Sequence, residues 1–259
     1  MLLIERMVEI AVSAATKAGR EILQIYRQGS PIAMMKADNS PVTSADKSSQ
    51  AVIVDYLLET GLPVISEEDE EMDFRTRKSW EYCWLVDPLD GTKEFIAGSG
   101  EFTVNIGLVH EHRPVAGVVY IPYSDILYAG SEETGVYKLQ AGNLQRLRPA
   151  ASRPRFEDLR KKLPLRVVGS RFHSSAATED FLKQFSAVTL ITAGSSLKFM
   201  LLLEEEADIY PRLGRTMEWD TAAAHAILNA AGRGIYQQDL RSELVYNKQE
   251  LSNPSFIAF

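Results

Sequence analysis

The chain has 259 residues, of which 45% are hydrophobic and 24% charged, and its formal net charge is −7. This length allows one large domain or two closely packed lobes with an ample core. The negative charge argues against broad nucleic-acid binding, which needs a basic face, although local basic residues can still hold a small anion. The single cysteine, Cys83, excludes an intramolecular disulfide and a cysteine-rich zinc site.

The amino-terminal stretch MLLIERMVEI does not have the pattern of a secretory signal. It lacks a basic start, and Glu5 and Arg6 interrupt its apolar character. No segment approaches the roughly 20 consecutive apolar residues that a membrane-spanning helix needs. We therefore expect a soluble, cytoplasmic protein.

The first third of the chain predicts two helices and a strand. Apolar residues recur every three or four positions from Leu3 to Ile25, which indicates an amphipathic helix. The stretch VTSADKSSQAVIVDYLLETG predicts a second helix, capped by Thr43 or Ser44 and ended by Gly61. The residues LPVIS that follow predict a short strand, and a run of acidic residues comes directly after it.

The rest of the chain changes character twice. Residues 102–137 consist of short β-branched and aromatic segments separated by turn residues, which is typical of an antiparallel meander. Residues 140–164 are polar and basic and predict a linker. After it, the predicted strands LRVVGS, AVTLI, ADIYPRL and SFIAF alternate with the predicted helices ATEDFLKQF, SSLKFMLLLEEE and TAAAHAILNAAG.

Such alternation implies packed layers of sheet and helix. We therefore predict an α/β (α+β) protein with two lobes. The amino-terminal lobe, residues 1–155, would contain the antiparallel sheet, and the carboxy-terminal lobe, residues 156–259, would be mixed α/β.

Acidic side chains stand at the boundaries of several predicted elements. Asp87 and Asp90 follow the apolar strand CWLV, and Glu67 follows LPVIS. Asp46 lies in the first turn of the second helix, and Asp220 would open the last helix. In α/β proteins such positions project side chains into ligand-binding crevices. Carboxylates without cysteines and with few histidines suit Mg²⁺ rather than zinc, and Mg²⁺ usually works together with substrate phosphates.

The stretch DPLDGT at residues 87–92 has the composition of a metal and phosphate site. Its two aspartates could hold two ions about 3.5–4 Å apart, and the carbonyl of Leu89 could add a ligand. Gly91 lets the backbone approach an anion, and the amides of Gly91 and Thr92 would face a phosphate if they open a helix. Each acid also has a simpler interpretation as a turn former, a helix-start acid or part of a solvated face. Their joint occurrence favours the metal site.

Three stretches carry a resemblance to a known family. DPLDGTKEF and EWDTAAAHAIL, with SEED upstream, resemble the magnesium-dependent, lithium-sensitive phosphatases of the inositol monophosphatase superfamily, in the expected order along nearly the whole chain. Within it, DPLDGTKEFI and GSSLKF are most similar to the CysQ-type 3'(2'),5'-bisphosphate nucleotidases. An inositol monophosphatase more usually has Thr-Asn-Phe where this chain has Thr-Lys-Glu-Phe. The resemblance implies a layered αβαβα sandwich.

The resemblance also implies roles for individual residues. The first Mg²⁺ would be held by Glu67, Asp87 and the Leu89 carbonyl, and the second by Asp87, Asp90 and Asp220. Glu68 could support a third, weakly held ion. Asp46 and Thr92, with Glu67, would be catalytic because they position and activate the attacking water. The residues expected to contact substrate are Glu67, Leu89, Asp90, Gly91, Thr92, Ser195, Lys198, Arg212 and Asp220.

A substrate with two phosphates needs a basic anchor for the phosphate that stays. Lys198 follows Gly194-Ser195-Ser196 near a helix start, Arg212 ends the strand DIYPR, and GSRFHSS adds Ser170, Arg171 and His173. For Lys198 and Arg212, ordinary surface charge is the alternative, and for His173 a structural role.

The implied substrate is adenosine 3',5'-bisphosphate, cleaved to AMP, and its sulfated analogue is a second candidate. Inositol phosphates, sugar bisphosphates, a silent nucleotide- or metal-binding regulator and a plain structural domain stay open as alternatives. The resemblance favours a monomer and leaves peripheral association with the inner membrane open.

Overall fold

The structure is a computed structural model that describes residues 3–29, 33–35, 41–70, 72–169 and 176–259. The helices are α1 (Ile4–Gln28), α2 (Ser44–Leu58), α3 (Phe74–Arg77), α4 (Thr92–Ile96), α5 (Phe156–Leu159), α6 (Ala176–Leu182), α7 (Leu197–Leu203) and α8 (Ala222–Ala230). Short 3₁₀ turns lie at Pro122–Ser124 and Glu218–Asp220.

The strands of the amino-terminal part are β1 (Ala33–Met35), β2 (Pro41–Thr43), β3 (Val64–Ser66), β4 (Tyr82–Asp90), β5 (Thr103–His110), β6 (Arg113–Ile121), β7 (Ile126–Ser131), β8 (Gly135–Gln140) and β9 (Asn143–Leu147). Those of the carboxy-terminal part are β10 (Leu165–Gly169), β11 (Val188–Thr192), β12 (Tyr210–Arg212), β13 (Ile235–Gln237) and β14 (Phe256–Ala258).

A seven-stranded sheet in the order β3 to β9 forms the scaffold of the amino-terminal part. Strands β3 and β4 are parallel, and every later neighbour is antiparallel, as the predicted meander requires. The predicted linker is wrong over its first residues, because Asn143–Leu147 pairs with β8 as an edge strand. Ala141 and Gly142 both have positive φ and close that hairpin. A polar edge strand has the composition of a loop, since only one of its sides is paired.

Alternate side chains of the sheet enter two different cores. Trp84 and Val86 of β4 pack with α1 and α2 on one face. Cys83 and Leu85 face the opposite core, where α8 packs. Because β4 is covered on both faces, its sequence is continuously apolar up to its acidic end. Asp87 and Asp90 therefore lie at the carboxyl end of a strand that is buried on both faces.

The carboxy-terminal part adds two further layers. A three-stranded sheet, β12-β14-β13, and the parallel pair β10-β11 are joined by a bridge between Val167 and Ile209. Their outer face forms a third core with Phe156 of α5, against which Phe181 of α6 packs. Helices and sheets therefore follow in the order αβαβα, which confirms the predicted fold class. The boundary between the lobes at residue 155 stays a prediction.

The buried carboxylate of Asp208 ties β10 to the segment before β12. It accepts hydrogen bonds from Arg166 Nη2 at 2.6 Å, Arg166 Nε at 3.1 Å and Lys162 Nζ at 2.8 Å. Burial alone would raise the pKa of Asp208, but these hydrogen bonds outweigh it and lower the pKa to about 2. The folded state therefore holds the ionised form more strongly than the unfolded chain does.

We expect Asp208→Asn to lower the free energy of unfolding at pH 7 by roughly 1–3 kcal/mol, because Arg166 and Lys162 lose the buried charged acceptor that they share. The depressed pKa places this stabilisation above pH ~4 and removes it as the pH falls towards ~2. Urea unfolding between pH 7 and pH ~3 should therefore show the difference between wild type and variant shrinking with acidity. Asp180→Asn, which breaks only an exposed ion pair with Lys183, should change little. A difference that is constant across this pH range would contradict the assignment.

Candidate active site

A β-bulge in β4 sets the directions of the Asp87 and Asp90 side chains. Asp87 lies opposite Asn105 of β5, whereas Asp90 lies opposite Thr103, so β4 contains one extra residue between them. Such a bulge bends the strand and re-aims its side chains. Leu89 N donates to Asp87 Oδ1 at 3.1 Å, and Ser49 Oγ of α2 donates to the Pro88 carbonyl at 2.7 Å. The turn that the sequence suggests is present, and it is fastened to α2.

One cavity of about 570 Å³ gathers nearly all the predicted site residues. Glu67 reaches it because β3 runs parallel to β4, and Glu67 N donates to the Val86 carbonyl at 3.1 Å. Of the predicted site residues, those that line the cavity are Glu67, Asp87, Leu89, Asp90, Gly91, Thr92, Ser195, Lys198, Arg212 and Asp220. Ser170, Arg171 and His173 lie outside the described residues.

Asp46 does not line the cavity but contacts it through Thr92. Thr92 Oγ1 donates to Asp46 Oδ1 at 3.2 Å. Asp46 Oδ2 accepts from Thr43 N at 2.7 Å and Thr43 Oγ1 at 2.6 Å, so Thr43, and not Ser44, caps α2. The carboxylate is thus held from the helix side and offers its other oxygen to Thr92. This fixes the hydroxyl that faces the cavity.

Gly91 gives the backbone a conformation that other residues rarely adopt. It precedes α4 with φ of 93°, and a Cβ there would lie 3.1 Å from the Glu101 carbonyl oxygen. A side chain would therefore be strained and crowded. Thr92 begins α4, which meets the condition stated for these residues, so the Gly91 and Thr92 amides stand at a helix start.

Asp90 is held by Ser195, which was a predicted site residue, and by two polar residues that sequence reasoning missed, Thr103 and Asn105. Its Oδ2 accepts from Ser195 Oγ at 2.6 Å, Asn105 Nδ2 at 3.4 Å and Thr103 Oγ1 at 3.5 Å. Thr103 and Asn105 are buried. They occupy alternate positions of a strand that is otherwise apolar, and buried polar groups need hydrogen-bond partners. That spacing in FTVNIGLV was the available signal for a functional face.

Asp220 lines the cavity from the segment that precedes α8. It ends the 3₁₀ turn Glu218–Asp220, whereas α8 begins only at Ala222, so the prediction that Asp220 opens the helix is wrong by two residues. Its Oδ2 accepts from Met217 N at 2.8 Å, and Ser196 Oγ donates to its carbonyl at 3.2 Å. The carboxylate caps the start of its own 3₁₀ turn, and the sequence pattern of a cap does not distinguish a 3₁₀ turn from an α-helix.

The carboxylates of the cavity repel one another when they are ionised. Burial, followed by the charges of neighbouring carboxylates, raises the pKa of Asp87 and of Asp220 well above the usual range. Within the described ranges, no three acidic, histidine or cysteine side chains converge closely enough to enclose an ion. The carboxylates surround one cavity instead, and hydrogen bonds hold them. Hard cations would relieve their repulsion, and oxygen donors are the ligands Mg²⁺ prefers. The donor set therefore fits this metal.

Two cations line the same cavity, and one of them is buried. Lys198 is 7% exposed; its Nζ donates to the Ala193 carbonyl at 3.4 Å and lies 5.7 Å from the centre of the Tyr210 ring. Burial lowers its pKa, although Asp90 opposes this effect. Arg212 Nη2 donates to the Arg215 carbonyl at 3.2 Å, while its buried Nε finds no acceptor among the described residues. Lys198 is therefore not an ordinary surface charge, and Arg212 keeps a donor for a ligand.

Aromatic side chains complete the cavity and were not predicted. Phe199 and Tyr210 meet edge to face at 5.1 Å between ring centres, and Phe256 and Trp219 also line the space. In the sequence they are indistinguishable from ordinary core residues of short strands and helices. Only the packing of α7 against β12 and β14 places them beside the carboxylates.

No helix among the described residues combines the length and apolar character that crossing a lipid bilayer would require.

The chain is similar to known proteins over almost its whole length. It is 40% identical over 253 residues to the 3'(2'),5'-bisphosphate nucleotidase CysQ of Escherichia coli (strain K12), covering 96% of this chain and 98% of that protein. It is 33% identical over 257 residues to the CysQ of Haemophilus influenzae, covering 98% and 92%. The crystal structure of CysQ from Bacteroides thetaiotaomicron superposes with a TM-score of 0.83 at 42% identity, covering 98% and 96%.

More distant structures share the fold. An inositol monophosphatase from Anabaena sp. PCC 7120 superposes with a TM-score of 0.74 at 22% identity, covering 98% of this chain and 90% of that one. The family model for inositol monophosphatases matches residues 3–255. These matches confirm the resemblance predicted from DPLDGTKEF and EWDTAAAHAIL. The chain belongs to the inositol monophosphatase family.

Proposed function

We propose that this chain hydrolyses the 3'-phosphate of adenosine 3',5'-bisphosphate, releasing AMP and inorganic phosphate. The observation that carries the proposal is the juxtaposition, in one cavity, of several carboxylates and two cations, the buried Lys198 and the partly buried Arg212. A bisphosphate needs such a division, because one phosphate must react while the other is held. The names of the relatives at 40% identity support the same substrate class.

The carboxylates would hold two Mg²⁺ ions. Glu67, Asp87 and the Leu89 carbonyl would hold the first, and Asp87, Asp90 and Asp220 the second, with Glu68 near a third, weakly held ion. When bound, Mg²⁺ would supply Lewis-acid chemistry, polarising the phosphate and making water a better nucleophile at neutral pH. No covalent nucleophile is then required.

The protein residues would orient the water and the phosphate. Thr92 Oγ1, donating to Asp46, leaves its lone pairs free to accept from a water in the cavity. Asp46 is buried and accepts a hydrogen bond from Thr43 N. Because its carboxylate is fixed in this way, the Thr92 hydroxyl keeps one orientation. The Gly91 and Thr92 amides would face the departing phosphate at the start of α4. Positioning and electrostatic stabilisation account for most of the catalysis in phosphoryl transfer.

The retained 5'-phosphate would lie against Lys198 and Arg212, near Ser195. The unsatisfied Nε of Arg212 and the weakly bonded Nζ of Lys198 supply donors that a phosphate can accept. The sulfated analogue, which carries the same 3'-phosphate, is the second substrate we propose.

Other functions are less well supported. An inositol monophosphate has no second phosphate to contact Lys198 and Arg212. A regulator that binds a nucleotide or a metal without turnover does not need every carboxylate of the site, nor the hydrogen bond from Thr92 to Asp46. Lithium sensitivity, a monomeric state and a cytoplasmic location stay predictions.

A phosphate-release panel tests the proposal. Adenosine 3',5'-bisphosphate, inositol 1-phosphate, fructose 1,6-bisphosphate and AMP would be compared with Mg²⁺ and without it. We expect Mg²⁺-dependent release that is fastest from adenosine 3',5'-bisphosphate. In Lys198→Gln, the KM for that substrate should rise about 10-fold or more, since a charge-assisted contact is lost, while hydrolysis of inositol 1-phosphate should change little. Lys17→Gln, on the exposed face of α1, is the matched control.

The possible outcomes test the substrate assignment and the metal assignment separately. Faster release from inositol 1-phosphate would overturn the substrate assignment and leave the metal site intact. Release that is equally fast without Mg²⁺ would overturn the metal assignment.

A further inference from the structure

A second cavity of about 620 Å³ lies in the carboxy-terminal part and shares no lining residue with the active-site cavity. We call it the basic cavity, and its cationic lining residues are Arg153, Arg155, Lys162, Arg166 and Arg233. Two of these belong to RLRPAASRPRF, the basic stretch that the sequence suggests is a linker. A concentration of cations is unusual in a chain whose net charge is −7, and it calls for a reason.

Arg233 is the central group of the basic cavity. It is 8% exposed, and burial lowers the pKa of its guanidinium. Among the described residues, its side chain makes one long hydrogen bond, from Nη2 to Glu205 Oε1 at 3.4 Å. The Glu205 side chain is 72% exposed, so water screens this partner. A guanidinium has five N–H donors, and most of those on Arg233 have no acceptor among the described residues. Its other charged neighbour is Asp208, whose carboxylate also holds Arg166 and Lys162.

Carboxylates hold the other cations in place. Arg153 is neutralised, because its Nη1 lies 2.6 Å from Glu243 Oε1. The lining as a whole still contains five cations against three carboxylates, Asp158, Glu205 and Asp208. Arg166 and Lys162 share the single carboxylate of Asp208. Arg155 shares Asp158 with Lys161, at 2.8 Å and 3.4 Å. Two cations on one carboxylate leave a positive charge, and the carboxylate fixes where that charge points. The cavity is therefore preorganised and electropositive.

We propose that the basic cavity binds a tetrahedral oxyanion, either inorganic phosphate or sulfate or the phosphate of a small metabolite. Arg233 would hold it through its planar fork, with Arg155 and Lys162 at the rim. Guanidinium groups match such oxyanions in geometry and charge. The volume is ample for a small metabolite. This site is independent of the proposed catalysis, and an occupant could tie β10, α5 and the segment after α8 together.

Thermal unfolding of the Mg²⁺-free full-length chain tests the site. Potassium phosphate and sulfate would be compared with potassium chloride at the same ionic strength, and with glycerol 2-phosphate as a metabolite-like ester. We expect both inorganic oxyanions to raise Tm by at least about 2 °C above chloride. A larger shift with the ester than with phosphate would identify a phosphorylated metabolite as the occupant, and a smaller one the free ion.

Variants assign the shift to the basic cavity. Arg233→Met should lose most of it, and Arg155→Met, whose side chain is 78% exposed and whose loss should not impair folding, should lose about half. Arg6→Met, on the exposed face of α1, should retain it. Lys198→Gln measures the part of the shift that binding at the active-site lysine contributes, and the larger part of the shift should remain in that variant. A shift equal to that of chloride, or one retained in both Arg155→Met and Arg233→Met, would overturn the proposal.

Discussion

Asp90→Asn should lower the rate of phosphate release on the order of 1,000-fold or more, while the variant still folds. Ser195 Oγ donates to the Asp90 carboxylate at 2.6 Å. Asp87, Asp90 and Asp220 together would hold the proposed second ion. An amide keeps the shape and can still accept from Ser195, but it carries no charge to a cation. A loss of about 4 kcal/mol of transition-state stabilisation corresponds to this factor.

The same substitution should change stability in opposite directions with and without Mg²⁺. In Mg²⁺-free buffer, Asp90→Asn removes one of the charges that raise the pKa of Asp87 and Asp220, so its Tm should equal or exceed that of the wild type. With Mg²⁺, the wild type should gain stability by ligand binding and the variant much less. Thermal unfolding in both buffers measures this directly.

Asp55→Asn provides the control, because it removes an equal charge from the exposed side of α2. It should keep both the activity and the Mg²⁺-induced rise in Tm. Near-normal turnover by Asp90→Asn would contradict the metal assignment, as would a full Mg²⁺-induced rise in that variant.

Gly117→Ala should destabilise the fold by about 3 kcal/mol, the upper end of the range for overpacking a core. Gly117 lies opposite Gly107 in the β5-β6 pair. A Cβ on Gly117 would lie 2.1 Å from the Ala223 carbonyl oxygen of α8. Because that atom belongs to a helix backbone, no rotamer change can relieve the clash, and α8 must move. Urea unfolding measures the loss.

The displacement should also reach the active site, because Asp220 lies two residues before α8. We expect weaker activation by Mg²⁺ in the fraction of Gly117→Ala that remains folded. Gly169→Ala is the matched control, since a Cβ at Gly169 would meet no atom of the described residues within 4 Å, and it should change stability by less than about 0.5 kcal/mol. Equal stabilities of the two variants would show that α8 does not pack as closely on the sheet as the structure indicates.

The places where the sequence misled have physical causes. Asn143–Leu147 reads as a linker because an edge strand exposed on both faces has no apolar alternation. Asp220 reads as a helix start because a carboxylate caps a 3₁₀ turn with the same local chemistry. Thr103 and Asn105 read as part of a strand, since nothing local shows that their side chains meet Asp90.

The sequence by itself determined which chemical groups stand together at the end of β4. DPLDGT contains its turn, its carboxylates, its glycine and its hydroxyl within residues 87–92, because local spacing suffices when all the parts lie on one bulged strand end. The same holds for the alternation of strands and helices that predicts the layers.

Only the tertiary structure decided which distant groups join that turn. Asp46 meets Thr92 across 46 positions, and Ser195 meets Asp90 across 105. Whether Lys198 is a surface charge or a buried cation also depended on how α7 packs. Burial and long-range contact arise from the packing of whole layers, and no local pattern contains them.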